Sequence, residues 1–84
     1  ADLSRANLNG ANLGGTNFKE ANLSRSDLSD SNLHWANFGQ ADLTGADLHG
    51  ASLREAKIDN TTQMDDKWRL VWKIVNHLAV ISRS

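Results

Sequence analysis

Large apolar residues recur every fifth position along the first sixty residues. Leu3, Leu8, Leu13, Phe18, Leu23, Leu28, Leu33, Phe38, Leu43, Leu48, Leu53 and Ile58 hold this register without exception, and the residue two places before each is always small: Ala, Ser or Thr. Polar residues fill the other places, and two positions in each unit vary freely. A period of five suits neither regular element. On a helix, residues five apart are rotated by about 140°, which would smear the leucines around the circumference, and on a strand successive ones would face opposite sides. The pattern can be buried by a chain that turns a corner once per unit, with the small and the large fixed positions both pointing inward. Self-similarity this strict indicates a repeat architecture.

The period changes at Thr61. In "TTQMDDKWRLVWKIVNHLAVISRS" the residues Met64, Trp68, Val71, Trp72, Val75, Leu78 and Ala79 follow helical spacing. Thr62 and Asp65 have the form of a capping box. The spacing predicts a helix over 63–79, with Asp65 and Asp66 in a first turn where negative charge suits the helix dipole. Leu70, Ile74 and Ile81 widen its apolar stripe to roughly 200°, against about 100° for a surface helix. The helix is expected to cap the last turn of the array, and the remaining stripe leaves room for a second copy or another domain.

The motif A(D/N)LXX, carried twelve times in residues 1–60, resembles the pentapeptide-repeat family. That resemblance implies an all-β solenoid, a right-handed quadrilateral β-helix in which each unit forms one side of a square and four units make a coil. The sequence carries its own check on four units per coil, because Phe18, Phe38 and Ile58 are spaced by twenty and would stack on one side. The other sides would stack Leu3, Leu23 and Leu43; Leu8, Leu28 and Leu48; and Leu13, Leu33 and Leu53. Twelve units give three coils, a rise of only about 15 Å at the spacing of neighbouring strands. The expected organisation is a β-helix over 1–60 and a capping helix within 61–84. The stretch "DDKWRLVWKIVN" is similar to a helix that follows the repeats in some cyanobacterial members of the family.

Composition narrows the function classes. There is no cysteine, which excludes disulfides and thiolate metal sites. No apolar run has the length of a membrane-spanning helix, so no membrane insertion is expected. The formal charge is −1 for the whole chain. Residues 1–60 carry five basic and eight acidic side chains, residues 61–84 four and two. Neither balance suggests a nucleic-acid binder. The chain begins at Ala1 in repeat register, so a removed signal peptide, an excised domain and a trimmed terminus are all open, as are a cytoplasmic location and export to a periplasm or thylakoid lumen. An open first coil over Ala1 to Glu20 would offer unpaired strand edges to a partner.

Any chemistry must sit on the outward positions. Asp or Asn precedes the central apolar residue in ten of the twelve units, where short polar side chains are expected to bond nearby backbone at the corners. Asp27 and Asp47, twenty apart, could approach a cation, but two carboxylates fall short of the six to eight oxygens calcium takes. No two of His34, His49 and His77 are placed to share a metal, and no cofactor motif is present. In the four-unit register His34, Trp35, Arg54 and Glu55 meet on one side. Trp35 is either an interface anchor or a cover lying flat over the bare Gly15 of the preceding coil. Flat walls and a filled interior offer no concavity for catalysis. The chain therefore reads as a non-enzymatic structural or protein-interaction module whose partner is another protein or a second copy. The alternative is a DNA-mimic effector of a topoisomerase such as DNA gyrase, as the resemblance allows. The family's mimics, however, are long, dimeric and strongly acidic.

Overall fold

The computed structural model describes residues 2–82, with side-chain surroundings for residues 2–77. Parallel bridges join Asp2 to Asn22, Asn7 to Asp27, Asn12 to Asn32 and Asn17 to Asn37, and the series continues from Asn22 to Asp42, Asp27 to Asp47, Asn32 to Ser52 and Asn37 to Lys57. Every bridge spans twenty residues, so four units complete one circuit. Each circuit hydrogen-bonds to the next: the Leu3 N–H donates to the Asn22 carbonyl, Leu23 to Asp42 and Leu28 to Asp47, all at 2.7–2.8 Å.

The corners explain how a five-residue unit closes. In every unit from the first to the eleventh the fifth residue has positive φ: Gly10, Gly15, Gly45 and Gly50 at 70–73°, and Arg5, Glu20, Arg25, Asp30, Trp35, Gln40 and Glu55 at 58–65°. The next residue's N–H donates back to the central apolar residue's carbonyl, as from Ala6 to Leu3 at 3.1 Å. This is a turn with a left-handed third residue, the mark of type II. The Asp or Asn of each of the first ten units completes it, its Oδ1 accepting the N–H two residues on. The polar position is thus a corner device. Four of the acids are held below the usual carboxylate range by such bonds. Asp2 is lowered by the Ser4 hydroxyl and then its N–H, Asp42 by the Thr44 hydroxyl and N–H, Asp47 by the His49 N–H and ring, and Asp59 by the Thr61 hydroxyl and N–H.

The core is the stack of inward positions. Leu23, Leu28, Leu33, Phe38 and Leu43 are fully buried, as are Ala36 and Ala41, while Leu3, Leu8 and Leu13 of the first circuit are half-buried. Phe18, Leu48, Leu53 and Ile58 are also buried. Phe18 and Phe38 stack with ring centroids 5.3 Å apart and planes within 7°, so the twenty-residue register places aromatic on aromatic. Where the small position is serine, its buried hydroxyl is satisfied locally: Ser26 donates to the Leu23 carbonyl at 2.7 Å and Ser31 to the Leu28 carbonyl at 2.6 Å.

Two expectations for the C-terminal segment are corrected. The stack does not stop at residue 60. After Ile58 the chain inserts one residue, and Thr62, Gln63 and Met64 resume the small, polar, large order one place late. Strand β2 (Gln63–Met64) pairs in parallel with β1 (Asp42–Leu43), Gln63 opposite Asp42 and Met64 opposite Leu43. Thr62 is buried above Ala41, and its hydroxyl donates to the Phe38 carbonyl at 2.7 Å. It therefore belongs to the stack and forms no capping box. The helix, α1, runs over Asp66–Ser82 and not 63–79. The Asp65 carbonyl accepts the first helical bonds, from Trp68 and Arg69.

Helix α1 closes the end of the stack by supplying the bonds that a further circuit would make. Trp68 is 8 % exposed and packs into the core, its ring meeting His49 edge-on at 4.9 Å. The Trp72 indole N–H donates to the Ala56 carbonyl at 2.7 Å. Asn76 accepts the Glu55 N–H at 2.8 Å and donates to the Leu53 carbonyl at 3.4 Å. The Arg69 guanidinium donates to the carbonyls of Asp59 and Thr62. The facing stripe is consequently Trp68, Trp72, Val75 and Asn76, whereas Val71, expected on it, is exposed with Leu70 and Ile74, and Met64 serves from β2. The side chains of Leu78, Ala79 and Ile81 lie outside those described.

Candidate functional site

With every interior place filled by a side chain, the features that can meet a partner are at the corners and on the outer face of α1. The corner after the third unit of each circuit is distinctive. It stacks Gly14 and Gly15, then His34 and Trp35, then Arg54 and Glu55, and the backbone couples them: the Gly15 N–H donates to the His34 carbonyl at 2.7 Å and the Trp35 N–H to the Arg54 carbonyl at 3.3 Å. His34, Trp35, Arg54 and Glu55 line a shallow, open cleft of about 210 Å³. The structure thus brings together the four residues grouped by their register, and it gives this wall a concavity where a flat surface was expected.

Trp35 does not lie over Gly15. Nothing comes within 4 Å of the place where a Gly15 side chain would begin, and the indole is 69 % exposed. Trp35 lines the cleft together with Arg54, with His34 edge-on at 6.3 Å. Its φ of 60° fixes the direction in which the side chain leaves the corner, at a conformational cost of about 1–2 kcal/mol for a non-glycine residue. No ion pair or hydrogen bond engages the Arg54 guanidinium among the described residues. Glu55 is half-buried and has interaction partners of its own, with its backbone N–H held by Asn76.

The other singled-out groups are placed apart from this corner. The Asp47 carboxylate meets His49 Nδ1 at 2.6 Å, and Asp27 accepts the Ser29 hydroxyl at 2.5 Å. No group of three or more His, Asp or Glu side chains placed to hold a metal ion occurs among the described residues. No helix among them is long and apolar enough to cross a membrane. The outer face of α1, with Leu70 at 58 % and Ile74 at 50 % exposure, is the second apolar surface and lies opposite the Trp68 and Trp72 stripe.

Comparison with known proteins agrees with this architecture. A family model described as pentapeptide repeats matches residues 1–40 and 31–62, and the chain belongs to the pentapeptide-repeat family. The second match ends at residue 62, inside the shifted thirteenth unit. Among solved structures, the pentapeptide repeat protein Rfr23 from the cyanobacterium Cyanothece 51142 is 38% identical, with a TM-score of 0.74 over 76% of this chain and 44% of that one. HetL, a pentapeptide repeat protein involved in heterocyst differentiation regulation in Nostoc sp. strain PCC 7120, is also 38% identical, with a TM-score of 0.54 over 79% of this chain and 33% of that one. The chain therefore spans less than half the length of either. No curated protein matches it.

Proposed function

We propose that this chain is a non-enzymatic protein-interaction module: a right-handed quadrilateral β-helix of three coils, extended by one shifted unit and capped by α1, that presents a rigid wall to a protein partner. The observation that carries the reading is Trp35, a large aromatic held 69 % exposed on a fold that buries its other aromatic side chains wholly or in part. Exposed tryptophan beside arginine is the composition of an interface anchor. HetL, to which the chain is similar, is involved in heterocyst differentiation regulation, a kind of role that this reading accommodates. The walls favour this reading over duplex mimicry, since exposed positions carry both signs, Arg5, Lys19 and Arg25 against Glu20 and Asp30. A mimic of the phosphate backbone needs a run of one sign.

Site-specific photo-crosslinking in the native host tests it. A benzophenone amino acid at position 34, beside Trp35, should give a discrete adduct on irradiation, and the same group at position 19, on another corner, should not. If positions 34, 19 and 74 all gave no adduct, the interaction reading would fail.

A further inference from the structure

We propose that the corner built from Gly14, Gly15, Trp35 and Arg54 is a docking groove for an extended segment of a partner protein that carries an apolar side chain and, three residues away, a carboxylate. The inference rests on the interaction reading above and names the partner's chemistry. The corner offers two kinds of contact in a line along the solenoid axis. At one end is the shelf at Gly14 and Gly15, open above Gly15, with the exposed Trp35 on the next circuit of the same corner. An apolar side chain set on that shelf would stack on the indole and cover bare backbone, the contact for which aromatic anchors are suited. At the other end is Arg54, exposed and without an ion pair among the described residues, whose planar fork matches a carboxylate.

The fold sets the distance between these ends. Gly15 and Arg54 belong to the first and third circuits, each circuit bonded to the next by the Gly15 to His34 and Trp35 to Arg54 hydrogen bonds. Two steps of about 4.8 Å separate them by roughly 10 Å, which an extended chain rising about 3.3 Å per residue covers in three residues. Charge fixes the sign of the occupant. Arg54, exposed and without an ion pair among the described residues, attracts an anion. Glu55, which lines the same cleft, has interaction partners of its own.

The test is a titration of the whole chain, 15N-labelled, with the peptide acetyl-GLSSEG-amide, followed at the Trp35 indole N–H signal. Two anchors on a flexible hexapeptide give affinity in the millimolar range, and the signal should move saturably. Acetyl-GLSSQG-amide and the Arg54→Gln variant should each weaken binding about tenfold, and Gly14→Leu, which fills the shelf from a position with ordinary φ, should abolish the shift while leaving the melting temperature near that of the parent. Equal shifts with the Glu and Gln peptides would overturn the charge pairing. No shift at Trp35 with any peptide would overturn the groove, as would a shift produced by maltose alone, which would make the indole a sugar platform. If the groove fails while the adduct at position 34 persists, only this inference falls; if that adduct is absent too, the interaction reading has lost its support at this corner.

Discussion

One interior column tests the stacked core and its cap together. Leu13, Leu33 and Leu53 occupy equivalent places twenty residues apart, yet their surroundings differ. Leu33 is fully buried between the other two, Leu53 is 2 % exposed beneath α1, and Leu13 is half-buried at the first circuit. Leu→Ala in a close-packed core costs about 2–5 kcal/mol, rising with the volume that cannot collapse. Leu33, with neighbours above and below, should lie near the top of that range, at about 4 kcal/mol. Leu53 should cost about 3 kcal/mol, because Trp68 and Trp72 close over its end of the stack. Leu13 already gives part of its surface to water and should cost about 1–2 kcal/mol. A chain of this length has a total stability of about 4–12 kcal/mol, so Leu33→Ala should remove from about a third to all of it, and the assay is urea unfolding in the cold followed by circular dichroism. Equal costs at the three sites, or the largest at Leu13, would refute the burial gradient. A Leu53 cost as small as that of Leu13 would show that the helix does not cover the last circuit.

Three further outcomes follow from local features. Trp72→Phe keeps most of the packed ring but removes the N–H bonded to the Ala56 carbonyl, and should destabilise by about 1–2 kcal/mol in the same unfolding assay. Gln40 has φ of 60° and an exposed side chain, so Gln40→Gly relieves left-handed strain and should raise the melting temperature by a few degrees, the larger chain entropy of glycine offsetting part of the gain. Asp2, Asp42, Asp47 and Asp59 have depressed pKa values in the folded state. Their contribution is complete above the unfolded carboxylate pKa and is lost as pH falls through the folded values, so stability should drop below about pH 4. Asp42→Asn keeps the acceptor for the Thr44 N–H and should make that drop shallower.

The array was legible in the sequence because a corner-turning unit admits few residues. Only small side chains fit beside the next turn, only large apolar ones fill the interior, and a twenty-residue spacing of Phe18 and Phe38 reports which units lie on one side. The end of the array was harder to read because a single inserted residue after Ile58 breaks the arithmetic register while the physical one continues. Thr62, Gln63 and Met64 repeat the small, polar, large order one place late, and the missing positive φ at residue 60, in contrast to every fifth residue from 5 to 55, marks the slip. A Thr and an Asp three apart resembled a helix cap for the same reason that they suit a corner: both are short side chains that bond backbone. The helix face was misread at Val71 because the spacing of apolar residues cannot say that Asn76 and Arg69 are needed inward, where they bond the carbonyls and N–H groups left open by the last circuit. At the candidate site the register brought His34, Trp35, Arg54 and Glu55 to one corner, but the left-handed backbone of Trp35 and the exposure of its indole were not readable from composition or spacing.

On the proposed reading the interior of this chain serves stability while the Trp35 corner serves a partner, and the two roles can be separated in one double measurement. Trp35→Ala, made in the chain carrying the photoreactive group at position 34, should melt within a few degrees of its parent, since an exposed side chain contributes little to the fold. The same variant should lose the cross-linked adduct in the native host. An unchanged adduct at an unchanged melting temperature would contradict the claim, and so would a fall in stability as large as that expected for Leu53→Ala.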